Sequence, residues 1–167
     1  MMQEIRKAGV NAIGLIRDLA FATWPSAYKE ILSKAQLDYM LELIYSEQAL
    51  ANQIKNLRHQ FIIVDDHERP VGFASYSPKT ASDNSIFRLH KLYVLPDQQG
   101  KGTGKLLLDH IINEIKPAGA DRLELNVNRH NKAFHFYTKN GFTVLREEDI
   151  DIGGGYFMND YIMEKKL

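Results

Sequence analysis

The spacing of apolar residues changes several times along the chain, and each change predicts a new element. Residues 3–9 have the length and composition of a short strand. Between residues 10 and 24 the apolar side chains recur every three or four positions, which predicts a helix. Asn11 is a suitable N-cap. We expect Pro25 and Ser26 to end this helix, because proline cannot donate the hydrogen bond that a helix interior needs.

Two further amphipathic stretches, residues 36–45 and 47–57, predict a pair of helices, the second capped by Ser46. Runs rich in β-branched and aromatic residues follow at 60–66 and 71–77. Their tight connection is typical of an antiparallel hairpin.

The middle of the chain predicts a strand, a glycine-rich turn, a helix and another strand. Residues 85–95 form the first strand and end before Pro96. A single apolar stripe over residues 107–115 indicates the helix, which Pro117 ends. Residues 121–128 alternate as a strand again. A strand, helix and strand in succession give a parallel pair joined by a right-handed crossover.

The last third predicts a short helix over residues 131–142 and a hairpin. Asn131 begins the helix, and Gly141 suits a left-handed C-terminal cap. Residues 142–152 and 156–167 form the hairpin. The fold class is therefore α+β, with a central mixed, mostly antiparallel sheet, one parallel strand pair and flanking helices.

Composition adds limits to this picture. A length of 167 residues with 44% hydrophobic residues suits one domain over 1–167. The 21 basic residues balance the 21 acidic ones, so no net field favours nucleic acid or a membrane surface. The chain has no cysteine, which excludes disulfides, thiolate metal sites and a cysteine nucleophile. Charges interrupt the N-terminal stretch, so we expect no signal peptide and a cytoplasmic protein.

The stretch DQQGKGTGKLL, residues 97–107, carries the most specific chemistry. Three glycines between a strand and a helix expose converging backbone N–H groups at a helix N-terminus, which is an anion site. The P-loop pattern does not match. The dinucleotide pattern fails because Lys105 stands where it requires a third glycine.

A third pattern does match. Gln99, Gly102 and Gly104 reproduce Q/R-x-x-G-x-G/A, and the later stretch NKAFHFYTKNGF fits N-x-x-A-x-x-F-Y-x-x-x-G-F. These two motifs, in this order and one helix plus one strand apart, resemble those of the GCN5-related N-acetyltransferase (GNAT) superfamily. The resemblance is specific over the second half of the chain and holds only in outline over residues 1–60.

The resemblance implies acetyl-CoA as co-substrate, and the spacing of the histidines indicates no metal. Backbone groups of the strand before the turn would pair with the pantetheine arm, and amides of the turn would bind the pyrophosphate. Lys101 and Lys105 would add charge, or would simply be solvated. The implied donor-binding residues are Leu92, Val94, Gln99, Gly100, Lys101, Gly102, Thr103, Gly104, Lys105 and Asn131, the last acting as a helix cap, a pantetheine contact or both.

The same resemblance implies two catalytic residues. Tyr137 matches the tyrosine that protonates the leaving thiolate of CoA. His90 lies where relatives often carry a general base that acts through water, and its ordinary pKa of about 6.5 suits that role. A packed aromatic ring and a structural histidine are the competing interpretations. The other five histidines lack metal-ligand spacing.

The acceptor is less defined. Trp24, Tyr28 and Glu30, expected in a loop, and Tyr156 with Asp160 in the last hairpin combine aromatic rings with carboxylates. That combination suits a cationic amine such as a polyamine. The acidic run 147–151 agrees, although solvated acids and core aromatics explain the same residues. An aminoglycoside, a free amino acid and a protein N-terminus stay open as acceptors.

We therefore expect an N-acetyltransferase that transfers an acetyl group directly to a primary amine of a small molecule or peptide. A non-catalytic CoA-binding sensor on the same fold is the alternative, followed by a nucleotide-binding α/β protein. A homodimer is compatible with the resemblance.

Overall fold

A computed structural model describes residues 2–167. Within this range the chain forms five α-helices and seven β-strands. The helices are α1 Ile13–Tyr28, α2 Lys34–Tyr45, α3 Glu47–Lys55, α4 Thr103–Ile115 and α5 Ala133–Lys139. The strands are β1 Gln3–Ala8, β2 Gln60–Asp66, β3 Arg69–Thr80, β4 Asp83–Val94, β5 Arg122–Asn128, β6 Thr143–Gly153 and β7 Tyr156–Lys166.

The seven strands form one sheet in the order β1-β2-β3-β4-β5-β7-β6. β4 and β5 pair in parallel, with Ile86–Leu89 opposite Arg122–Leu125. β1 with β2, β2 with β3, β5 with β7 and β6 with β7 all pair antiparallel. The mixed, mostly antiparallel sheet with one parallel pair that the sequence predicts is confirmed.

The chain divides into two compact units. The first comprises Met1–Ser77 and Lys91–Ile111, and the second Pro78–His90 and Ile112–Leu167. The division falls within β3, β4 and α4. The prediction of a single domain over residues 1–167 stays a prediction. No helix in residues 2–167 is both long and apolar enough to cross a bilayer.

Helix α1 differs from its prediction at both ends. Asn11 lies in a short 3₁₀ helix, Val10–Ala12, and provides no side-chain cap for α1. The helix also continues through Pro25 to Tyr28. A proline inside a helix costs about 3 kcal/mol, whereas full burial of an aromatic side chain contributes about 1.5–3 kcal/mol. Trp24 and Tyr28, one turn apart, are both buried, and their burial offsets the cost of Pro25.

Other local predictions are confirmed. Ser46 accepts a hydrogen bond from the Ala49 amide at 3.1 Å and caps α3. The glycine that follows α5, Gly141, has a φ of 94°, as a left-handed C-terminal cap requires. The apolar stripe of α4 is buried at Leu107, Leu108, Ile111 and Ile115.

Candidate functional site

The glycine turn, residues 97–105, joins β4 to α4. Gly100 and Gly102 have φ values of 79° and 80°, which side chains disfavour. A Cβ at either position would have no atom of the described residues within 4 Å. The turn thus combines a glycine-only backbone with open space above it. Both properties fit a group that must approach the backbone closely.

The first amides of α4 lie beside this open space. The hydrogen bond from the Leu106 amide to the Gly102 carbonyl, 2.9 Å long, is the first that the helix can make in its regular pattern. The amides of Thr103, Gly104 and Lys105 come before it and have no carbonyl one turn earlier in the helix. Their N–H groups and the helix dipole favour an anion. The turn therefore fits an anionic group such as a phosphate.

The side chains of the turn contribute less than its backbone. The Thr103 hydroxyl is buried and accepts a hydrogen bond from Gln3 Nε2 at 2.9 Å. Lys105 pairs with Asp109 at 2.6 Å along the exposed face of α4. Lys101 is exposed. Gln99 Nε2 donates to the Val94 carbonyl at 3.1 Å, so this side chain holds the turn against the end of β4.

The strand before the turn is held close to its neighbour. A Cβ on Gly72 of β3 would lie 2.9 Å from the Tyr93 carbonyl oxygen of β4, closer than side chains tolerate. Leu92 and Val94, the predicted pantetheine contacts, are half-buried. Both follow Leu89, the last β4 residue paired with β5.

Tyr137 lies on α5 in the second unit and is only 7% exposed. Its ring makes an edge contact with Phe142, at a centroid distance of 5.5 Å. Asn131 Oδ1 accepts a hydrogen bond from the Ala133 amide at 2.9 Å. Asn131 thus closes a local turn just before α5, whose N-cap, Lys132, provides no side-chain cap, and its contact with the pantetheine arm stays a prediction.

His90, the predicted base, is half-buried on β4. The next residue, Lys91, is buried, and sequence reasoning gave it no role. Its Nζ donates to Gln53 Oε1 at 2.7 Å and lies over the Tyr45 and Phe61 rings at 5.6 and 5.4 Å. Alternation along β4 could have indicated this, since residue 91 shares a face with the buried Phe87 and Leu89.

Burial controls the charge of two basic groups in the first unit. It lowers the pKa of Lys91 to about 8. Burial, followed by the nearby charge of Lys91, lowers the pKa of His59 to about 4, so this imidazole is neutral at pH 7.

The predicted acceptor residues are only partly brought together. Trp24 and Tyr28 lie inside α1 and not in a loop, so that placement was wrong; Glu30 follows in the turn. Trp24 is 3% exposed and donates to the Tyr45 hydroxyl at 3.1 Å. Tyr28 shares a hydrogen bond of 2.9 Å with the Tyr93 hydroxyl. These aromatics belong to the core of the first unit.

Tyr156 begins β7 in the second unit and is half-buried. The acids of the run 147–151 are exposed, and Glu147 and Asp149 both pair with Arg129. They match the description of a solvated, ion-paired hairpin face.

A set of polar residues lies on β3, β4, β5 and β7. Of these residues, sequence reasoning singled out only Asp160. Glu124 is 3% exposed and accepts hydrogen bonds from Lys79 at 2.9 Å and Arg88 at 3.3 Å. Arg88 also donates to Asn126 Oδ1. Asn126 Nδ2 in turn donates to Asp160 Oδ2 at 3.2 Å. The five residues of this polar sheet face are Lys79, Arg88, Glu124, Asn126 and Asp160.

Residues 2–167 contain no group of three or more histidine, aspartate or glutamate side chains that could hold a metal ion.

Comparisons with known proteins converge on one family. A family model described as "Acetyltransferase (GNAT) domain" matches residues 29–158. The chain is 31% identical to a spermidine N(1)-acetyltransferase from Thermoplasma acidophilum, over 99% of this chain and 98% of that protein. It is also 32% identical to a peptidyl-lysine N-acetyltransferase from Salmonella typhimurium, but over only 54% of each chain.

A solved structure agrees over the full length. The crystal structure of PaiA N-acetyltransferase from Thermoplasma acidophilum, in complex with coenzyme A, superposes with a TM-score of 0.83. The two chains are 29% identical, and the match covers 100% of both.

Proposed function

The chain belongs to the GNAT acetyltransferase family, and we propose that it transfers the acetyl group of acetyl-CoA directly to a primary amine of a polyamine. Its membership and its relatives make it an acetyl-CoA-dependent N-acetyltransferase. The proposal adds the residues that act, the acceptor class and a single catalytic domain over residues 1–167. The glycine turn is the observation that carries it.

Acetyl-CoA, when bound, supplies the acetyl group as a reactive thioester. The amides of residues 99–104 would hold its pyrophosphate, supported by the dipole of α4. The backbone of Leu92 and Val94 would pair with the pantetheine arm, and an N–H near Leu92 would donate to the acetyl carbonyl oxygen. Asn131 closes the turn just before α5, the helix that carries Tyr137.

Tyr137 is the proposed general acid. As the amine nitrogen bonds to the acetyl carbon and the carbon–sulfur bond breaks, the phenol donates its proton to the departing sulfur. Thiols have a pKa of about 8.5 and tyrosine about 10, so the transfer is close to balanced at a partly formed thiolate.

His90 is the proposed base. A free primary amine has a pKa near 10.4, so only about one molecule in 10³ is neutral at pH 7. His90, directly or through water, would take the proton that the amine must lose. With Tyr137 giving one proton and His90 taking one, the protein returns to its starting state after proton exchange with solvent.

The acceptor class is supported by similarity. The relative matched over 99% of this chain is named for spermidine. Trp24, Tyr28 and Tyr156 remain the proposed aromatic contacts, although Trp24 and Tyr28 are mostly covered by the core.

We also propose a cytoplasmic homodimer. The exposed Val144, Leu145 and Phe157 of the last hairpin support an association surface there.

The test measures CoA release from acetyl-CoA against spermidine, lysine, an aminoglycoside and a lysine peptide. We expect turnover with spermidine, and a fall of at least ~10²-fold in kcat in Tyr137→Phe with acetyl-CoA binding retained. Tyr161→Phe is the matched control, because it also removes one hydroxyl from a ring that packs on α5, against Phe134.

Faster turnover with the lysine peptide than with spermidine would mean that the acceptor is a peptide and not a polyamine. Binding of acetyl-CoA without turnover on any amine would favour the sensor function. A Tyr137→Phe variant as active as Tyr161→Phe would remove Tyr137 from the mechanism.

A further inference from the structure

Asp160 is a buried carboxylate with one unused oxygen. It lies on β7 and is 4% exposed. Oδ2 accepts the hydrogen bond from Asn126, whereas Oδ1 is buried without a hydrogen-bond partner among residues 2–167. A buried charged oxygen in that state is costly unless a donor reaches it. The site therefore calls for a hydrogen-bond donor, preferably a cation.

The cations near Asp160 are already engaged with other acids. Arg88 pairs with Glu124, and Arg129 pairs with Glu147 and Asp149. On β6, Arg146 lies 3.8 Å from Glu148. The remaining direct contact, Asn126, is neutral and uses its own oxygen to accept from Arg88.

The electrostatic surroundings of Asp160 also favour a bound cation. Glu148 is the register partner of Asp160 across β6 and β7, so a second carboxylate faces the same region. Burial, together with the repulsion from Glu148, raises the pKa of Asp160, while the bond from Asn126, Arg129 and Arg88 oppose the rise. A bound cation would relieve this unfavourable balance.

Asp160 is linked through Asn126 to the end of the parallel pairing between β4 and β5. Its partner Asn126 directly follows Leu125, the last residue of β5 paired with the parallel strand β4. Its neighbour Tyr161 contacts Phe134 of α5 with ring centroids 5.2 Å apart. Because side chains alternate along a strand, Asp160 points to the sheet face opposite α5.

From this geometry we propose that Asp160 binds a cationic nitrogen of the acceptor and thereby selects polyamines over monoamines. The proposal rests on the acceptor class given under the proposed function. An ammonium group has three donors and can fill Oδ1 while Asn126 keeps Oδ2. Asp160 is thus a specificity residue that makes no bond to the acetyl group.

Asp160→Asn tests the proposal, because the amide keeps an acceptor for Asn126 and loses the charge. We expect the KM for spermidine to rise ~10–100-fold, the range of one lost charge-assisted hydrogen bond. The kcat should change less than about threefold, since the residue does not touch the reacting atoms. The KM for butylamine, which has no second nitrogen, should stay near the wild-type value.

Three further measurements separate binding from structure. Asp38→Asn, which removes an exposed carboxylate paired with Lys34 in the first unit, should leave the spermidine KM unchanged. The wild-type spermidine KM should rise as acid protonates Asp160, and in Asp160→Asn this rise should disappear. The free energy of unfolding of Asp160→Asn should not fall, because a buried charge is removed.

The outcomes are distinguishable. If wild-type protein acetylates spermidine and Asp160→Asn has the same KM, or loses only kcat, Asp160 does not bind the acceptor. A lowered stability with an unchanged preference for spermidine would make it structural. A wild-type protein that acetylates no polyamine overturns the acceptor class as well as this role.

Discussion

The glycine turn of the first unit and the polar sheet face of the second present hydrogen-bonding groups by opposite means. The turn uses backbone amides over nine consecutive residues, and two of its glycines have φ values near 80°. The polar sheet face uses side chains from β3, β4, β5 and β7 that are up to 81 positions apart, from Lys79 to Asp160. One surface is local, and the other exists only after the strands have paired.

This difference determines how each surface fails. A backbone site tolerates most side-chain changes but not a change in conformation. A side-chain network tolerates substitutions that leave its own side chains in place. It is destabilised when a buried charge loses its partner. The two surfaces should therefore respond to different substitutions and in different measurements.

The largest expected effect is on the polar sheet face. Glu124→Gln removes the charge that both Lys79 and Arg88 contact. We expect a loss of about 2–3 kcal/mol in the free energy of unfolding, below the usual range for a buried pair because Lys79 can turn toward solvent. Urea denaturation at pH 7 measures it.

Glu147→Gln provides the matched comparison. That carboxylate also pairs with an arginine but is 61% exposed, so its loss should cost less than about 0.5 kcal/mol. Equal losses in the two variants would show that burial gives the network no added energetic weight.

A smaller effect is expected in the glycine turn. Gly102→Ala meets no atom at Cβ, so its cost is the left-handed backbone alone, about 1–2 kcal/mol. If ligand binding requires that conformation, acetyl-CoA affinity should fall by about 5–30-fold, as titration calorimetry would detect.

Gly119→Ala is the control for this effect. Gly119 has a φ of 107° and equally open space, but follows α4 instead of preceding it. It should lose similar stability and keep its acetyl-CoA affinity. A parallel loss of affinity in both variants would attribute the effect to general destabilisation.

The smallest effect concerns Lys91, which is buried within the first unit. Its pKa in the folded protein, about 8, lies below the ordinary value of 10.5. The folded state therefore binds this proton less well than the unfolded state, and stability is lost as the pH falls through 8. Relative to Lys91→Met, wild-type protein should gain about 1 kcal/mol between pH 7 and pH 9.

Lys34→Met, which removes an ammonium that is 85% exposed, should follow the wild-type pH dependence. Parallel curves for wild type and Lys91→Met would mean that burial does not lower the pKa of Lys91 in the folded protein.

The sequence predicts best where the physical cause is local. The bounds of β2, the cap at Ser46 and the positive φ of Gly141 each depend on a few neighbouring residues, and all were predicted. The end of α1 was not, because burial of Trp24 and Tyr28 against distant residues outweighs the local effect of Pro25. The partners of Glu124 could not be predicted, since they depend on the register of three strands.

The strand order has a consequence for synthesis of the protein. β7 lies between β5 and β6, so β6 leaves the ribosome before the strand that attaches it to the sheet. Every residue of the glycine turn has been made some 50 residues before Asp160 is added. The nascent chain can thus build its glycine turn early, whereas the polar sheet face is completed only when β7 inserts between its two neighbours.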